Sequence, residues 1–176
     1  MQPATIAPGA DEYAPPYRGY VARVPQGNVL DQLERQGAST AAFLARVIPE
    51  QARYRYADGK WSVTEIIGHL SDAERIFAYR ALRIARCDET PLPGFDENTY
   101  TPAGEFDRRG LAEVARELAL VRAATIALFH GFPDDAWTRR GTASNYPVSV
   151  RGLAHIIAGH ELHHLEVLRT RYGVGA

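Results

Sequence analysis

The chain has 176 residues, enough for one domain with a sizeable core. Apolar residues make up 45% and charged residues 23%, the balance of an ordinary globular protein. The formal net charge is −1, with arginines and acids interspersed. That argues against a nucleic-acid or anionic-membrane binder, which carries a basic stripe.

Cys87 is the sole cysteine, so no intrachain disulfide can form and a cytoplasmic compartment is the expectation. No apolar run approaches the roughly 18 residues of a membrane span, and no signal-peptide apolar stretch opens the chain. No membrane association is expected.

Residues 1–27 form an arm with Pro3, Pro8, Pro15, Pro16 and Pro25, and with Tyr13, Tyr17 and Tyr20. The prolines argue against a regular helix. The arm either lies on the domain surface or a partner, or is a mobile tail. Asn28 is a plausible N-cap for a helix over 29–48, with Leu30, Leu33, Phe43, Leu44 and Val47 in a loose helical period and Pro49 ending it. Residues 50–60 read as a connection.

A second helix starts at a capping box, Ser62-Val63-Thr64-Glu65, with Trp61 just before it, and runs to about Arg86. Its stripe is Ile66, Leu70, Ala73, Phe77, Ala81 and Ile84. His69 sits at the edge of that stripe, about 75° from its centre. The segment 88–106 is a long loop. It reads either as a functional rim or as a crossover connection. A third helix spans about 108–130. His130 and Gly131 at its end read as a polar cap. Trp137 and residues 138–147 lead to Ser149, the expected N-cap of a last helix running to Arg171. Four helices with long crossover connections make an all-α four-helix bundle over 28–172, with a short tail at 173–176.

The last helix carries four histidines, His155, His160, His163 and His164. At about 100° per residue, His160 and His164 fall about 40° apart, one turn above the other. They share the face of Leu153, Ile156, Ile157, Val167 and Leu168, which a bundle buries. His163 lies at the edge of that face. His155 points nearly opposite to His164 and is expected in solvent. Two stacked histidines can converge one nitrogen each on a metal ion, but a stable site wants a third ligand. His69 on a second helix supplies it, because bundles build metal sites from facing helices. The competing reading is that His69 bonds a carbonyl across the interface. Three neutral histidines with an open fourth position make a catalytic rather than a closed arrangement.

Several short motifs occur in order: Trp61-Ser62-Val63, Gly68-His69-Leu70-Ser71-Asp72-Ala73-Glu74-Arg75, Gly94-Phe95-Asp96-Glu97-Asn98, Trp137 through Gly141, and the run His155–His164. Together they resemble the DinB-like superfamily, in its second sequence group, over roughly residues 28–172. The resemblance implies an up-and-down-type four-helix bundle with a three-histidine divalent-metal site at His69, His160 and His164. Members include thiol-dependent S-transferases and proteins described as metal-dependent hydrolases, and dimers are common. A homodimer acting on a small molecule is therefore expected. The arm lies outside the resemblance.

His160-Glu161-Leu162-His163-His164 also fits H-E-x-x-H, the zinc-peptidase signature. Only twelve residues follow His164, with no histidine and Glu166 as the sole acid. Glu166 projects about 160° away from His164, so it cannot close such a site. The motif reads as coincidental. Glu161 lies on the flank, with a surface or ion-pair role more expected than a direct one.

The expected chemistry is a divalent ion (Zn, Ni or Fe) on His69, His160 and His164 that lowers the pKa of a water or of a low-molecular-weight thiol. Water gives hydrolysis and a thiol gives S-transfer. Asp72, Arg80, Glu161 and His163 are candidates for supporting the ligands or orienting the substrate. The alternative is a non-catalytic stress-response module that binds metal or a small ligand.

Overall fold

The three cap residues expected from the sequence, Asn28, Ser62 and Ser149, each accept a backbone N–H at a helix start. In this computed structural model, which describes residues 3–174, the Asn28 side chain accepts from Leu30 N at 2.9 Å and opens helix α2, which follows the short arm helix α1 (Arg18–Val21). Helix α2 spans Val29–Leu44. It stops short of the expected 48, and Pro49 begins a one-turn helix α3 (Pro49–Ala52) from its first position. Helix α4 (Val63–Ala85) opens on the full capping box. Ser62 Oγ accepts from Glu65 N at 3.0 Å, and the Glu65 carboxylate accepts from Ser62 N at 2.7 Å. Within the long 88–106 segment, Asp96 caps a short helix α5 (Glu97–Ala103). Helix α6 covers Leu111–His130. Helix α7 covers Val150–Thr170, with Ser149 Oγ accepting from Gly152 N at 2.9 Å. The tail begins at Gly173, and its last two residues lie outside the described ones, as do the first two of the arm.

Helices α2, α4, α6 and α7 form the bundle. Helix α4 packs on α6 and α7, and so does α2. The ring order is therefore α2–α6–α4–α7, and the links from α2 to α4 and from α6 to α7 run between diagonal partners. A simple up-and-down bundle would have sequence neighbours adjacent. The long connections allow the crossing. Among the described residues no helix is long and apolar enough to cross a membrane.

The α6–α7 link, a plain connection by its sequence, holds a hairpin. Strands β1 (Arg140–Ala143) and β2 (Tyr146–Ser149) pair antiparallel, with Ala143 opposite Tyr146. The turn residues Ser144 and Asn145 both have positive φ, 52° and 67°. That is the signature of a type I′ turn, whose twist suits a hairpin. Leu92 bridges to Ala143 and ties the 88–96 loop to this hairpin.

The apolar core comes in two clusters. One holds Leu33, Phe77, Phe129, Trp137 and Ile157; the other holds Phe43, Ile67, Leu70, Leu118 and Leu165. Each of the four bundle helices also buries polar residues: Gln36 and Thr40 on α2, His69 and Glu74 on α4, Arg122 on α6, His160 and Glu161 on α7. A polar layer thus crosses the bundle at mid-height. The histidines belong to it.

The arm is docked, not trailing. Two 3₁₀ turns, Pro3–Thr5 and Pro15–Tyr17, use their prolines. The proline-free stretch after them winds into α1, which packs on α7. Glu12 is 2% exposed. Its carboxylate accepts from Arg151 Nε at 2.7 Å and from Gly9 N at 2.8 Å, and its carbonyl accepts from Ser149 N at 3.1 Å. Burial pushes the Glu12 carboxyl up, but hydrogen bonds from Arg151, Ser149 and Gly9 more than offset this and bring it from 4.5 to about 2. A lowered carboxylate stabilises the fold fully above its unfolded value and loses that contribution as pH falls toward the folded value. Glu12→Gln should therefore lower the melting temperature at pH 7. The gap to the native chain should close as pH drops from 4.5 to about 2. A gap independent of pH would rule out the carboxylate as the arm's anchor.

Candidate metal centre

Helix α4 brings His69 and helix α7 brings His160 and His164 to one point. His160 Nε2 lies 3.0 Å from His69 Nε2 and 3.0 Å from His164 Nε2. The three rings offer one nitrogen each, all within 4.8 Å of one another. His69 and His160 are 6% exposed and His164 is half-buried. Ligand nitrogens on a tetrahedral ion lie about 3.3 Å apart, close to the two separations that His160 makes.

The donor set fits a cation. A neutral imidazole presents either one N–H or one lone pair at Nε2. His160 Nε2 faces two other Nε2 atoms, so it can satisfy one by hydrogen bonding but not both. A cation at the junction satisfies three lone pairs together. Burial pulls the His69 imidazole down to about 4. Burial also holds His160 and His164 well below the ordinary range, reinforced by the neighbouring histidines. All three are neutral near pH 7, as metal ligation requires.

Close backbone approaches fix the two helices. A Cβ on Gly68 would lie 2.3 Å from the Phe106 ring, so the residue before His69 admits no side chain there. The Trp61 ring packs tilted against His69, 4.8 Å between ring centres. On α7, a Cβ on Gly159 would lie 2.0 Å from the Tyr20 carbonyl oxygen. Tyr20 thereby reaches within 5.2 Å of the His160 ring and 5.3 Å of the His163 ring.

The other candidates separate. His155 is buried at 4% exposure, not in solvent, and its Nδ1 pairs with the Arg151 carbonyl at 2.9 Å. The reason is the arm. Gly152, His155, Gly159 and His163 follow one another at helical spacing, and Gly152, Gly159 and His163 each meet arm atoms. His163 is half-buried beside Tyr20 and His164 and is not in the three-nitrogen cluster. Asp72 turns away toward α6, where Arg75 Nη1 lies 3.5 Å from it and also pairs with Glu117. His130 is exposed at the end of α6, 3.4 Å from Glu34. Glu161 is buried in an ion pair and not at the surface. It accepts from Thr40 Oγ1 at 2.6 Å and from Arg122 Nη1 at 2.8 Å. Arg122 also makes a bidentate pair with Glu74 at 2.8 Å on both arms. Burial pulls the Arg122 guanidinium down, and Glu74 and Glu161 more than offset it, so it stays charged.

A cavity of about 180 Å³ opens on the histidines. Its walls are Tyr17, Tyr20, Trp61, Phe77 and Phe95, with Glu97 and Ser144 as further polar lining. A larger apolar groove of about 610 Å³ runs between α2, α3 and α6, but no histidine lines it. Tyr20 and Ser144 were not legible as site residues, because they come from the arm and the unseen hairpin, whereas Phe95 and Glu97 lie on the 88–106 segment, which lines the cavity as a rim.

A family model described as the DinB superfamily matches residues 32–168. The chain belongs to the DinB superfamily. Its fold is similar to that of YfiT from Bacillus subtilis, described as a probable metal-dependent hydrolase with an unusual four-helix bundle topology. The TM-score is 0.73 at 19% identity, covering 92% of this chain and 94% of that one. It is also similar to a mycothiol-dependent maleylpyruvate isomerase, with TM-score 0.69 at 14% identity, covering 89% of this chain and 64% of that one. At these identities the likeness is one of fold. No curated protein matches the chain. Tyr17 and Tyr20, which wall the cavity from the arm, precede the segment that matches the family model.

Proposed function

We propose that this protein is a metal-dependent enzyme acting on a small molecule by hydrolysis or by S-transfer from a low-molecular-weight thiol, with His69, His160 and His164 holding a divalent ion. The observation that carries this reading is the convergence of three neutral Nε2 atoms, two of them on buried rings, in the wall of an aromatic cavity. Such an ion keeps its full charge, since neutral imidazoles add none, and supplies the acidity that makes a water or thiol nucleophilic near neutral pH.

The chain's own residues do the rest. Trp61, Phe77 and Phe95 exclude water and hold an apolar substrate body over the histidines. Tyr20 closes the cavity from the arm side. The ion pair of Glu161 with Arg122 fixes the turn of α7 that carries His160. The hydrolase description of YfiT and the thiol dependence of the isomerase favour these two reaction classes.

Elemental analysis tests the reading on protein purified without a nickel column. About one divalent ion per chain is expected in the native protein and none in His160→Ala. Thiol-transfer or ester-hydrolysis turnover should disappear with a chelator and return with metal. A full complement in His160→Ala, or none in the native chain after reconstitution, overturns it.

A further inference from the structure

Two arginines are buried among the described residues, and they are treated differently. Arg122 is 3% exposed and sits between two carboxylates. Arg80 is 2% exposed, and among the described residues no carboxylate pairs with it. Its Nη2 donates to the Pro93 carbonyl at 2.7 Å and to Ser144 Oγ at 3.0 Å. Its guanidinium also lies 5.8 Å from the Phe77 ring centre and 5.9 Å from that of Phe95. A buried cation whose only partners are neutral is costly.

Ser144 connects that charge to the cavity. It lines the same space as His69, His160 and His164. Its oxygen accepts from Arg80, so its own hydrogen is left to donate elsewhere. A hydrogen bond from a cation polarises the hydroxyl and strengthens it as a donor. The position also disfavours serine. With φ at 52°, it is the first central residue of a type I′ turn, where asparagine, aspartate or glycine is the ordinary choice. A serine kept in left-handed backbone beside a buried arginine points to use of its hydroxyl.

We propose that Ser144 is a substrate-binding hydroxyl, that Arg80 primes and positions it, and that the substrate is a compact organic carboxylate on an apolar body. The sign follows from the charges. The single carboxylate lining the cavity, Glu97, is exposed and screened, whereas Arg80 is buried. The compact size follows from the volume of about 180 Å³, below that of ordinary drug-sized sites. The aromatic walls accept the body while Ser144 takes a carboxylate oxygen. This deepens the proposed function, since the carboxylate is the substrate of that centre, but Arg80 and Ser144 make their contact without the ion.

Three nearly isosteric probes test it by calorimetric titration: benzoate, benzamide and benzylammonium. Each is titrated into the full chain, once stripped with chelator and once zinc-loaded, for the native protein and for Ser144→Gly. Glycine is at home at positive φ, so this variant keeps the turn while removing the hydroxyl. Benzoate should bind best in both states. Its affinity should fall about tenfold or more in Ser144→Gly, with benzamide falling only a few-fold, as expected for losing a charged against a neutral hydrogen bond. If the chain takes up no zinc yet keeps this pattern, the metal reading fails and the carboxylate site stands. A benzoate preference that needs zinc and is untouched by Ser144→Gly leaves the metal reading standing and overturns the role of Ser144. A preference for benzylammonium, or no binding of any probe, overturns the proposal.

Discussion

Arg122→Met should destabilise the bundle by about 3–5 kcal/mol in urea unfolding, among the largest single-residue losses in this chain. The guanidinium joins four helices at once. It holds Glu74 of α4 by two hydrogen bonds, Glu161 of α7 by one, and the Leu33 carbonyl of α2 by another, from its own place on α6. Methionine fills similar volume but leaves two carboxylates facing each other in a layer closed to water. The cost is that of the orphaned charges, so it should vanish when they go too. The triple variant Glu74→Met, Arg122→Met, Glu161→Leu should recover most of the loss, because replacing a whole buried ion cluster with apolar groups is often neutral or better. Recovery in the triple variant separates charge from packing. If the single and triple variants lose stability equally, the network contributes by shape alone.

The same layer marks the limit of what the sequence discloses. Helix starts were legible because their signals are local: Asn28, the Ser62–Glu65 box and Ser149 each need only the next three residues. The convergence of His69 with His160 and His164 was legible because two histidines one turn apart on an apolar face, with a third at the edge of another helix's stripe, stand out in projection. His155 was not, since projection onto one helix cannot see a second cover. With the arm docked on the opposite side, α7 is buried nearly all round from Gly152 to Glu161. Glu161 looked peripheral for the same reason, as its partners Thr40 and Arg122 are 121 and 39 residues away in sequence. The hairpin was hidden by its turn, Ser144-Asn145, which lacks the glycine that usually announces type I′. With the hairpin went Ser144 as a lining residue.

Gly159→Ala should release the arm while the bundle stays folded. An added Cβ would sit 2.0 Å from the Tyr20 carbonyl oxygen and 2.4 Å from its carbonyl carbon. These are backbone atoms, so no side-chain rotation relieves the clash, and either α1 or α7 must move. Helix α7 is held by the ion pair of Glu161 with Arg122 and by packing on both α4 and α2. Helix α1 is four residues long, so the arm gives way. Overpacking of this kind costs about 1–3 kcal/mol. Read as local opening, that is about a fivefold or greater rise in trypsin cleavage at Arg18 and Arg23, with the urea midpoint of the bundle moving much less. Gly19→Ala is the control. There the new Cβ meets only the Arg23 side chain at 3.7 Å, an ordinary contact, and protection should be unchanged. The functional consequence follows from Tyr20, which the arm holds 5.2 Å from the His160 ring. With the arm displaced, the cavity loses that wall and Tyr17, and the histidines open to solvent. On the proposed function, affinity for an aromatic carboxylate should then fall, while metal content stays at the native level because none of the three histidines has been touched. Cleavage rates equal to those of the native chain would mean that α7 shifts instead. In that case metal retention is what suffers.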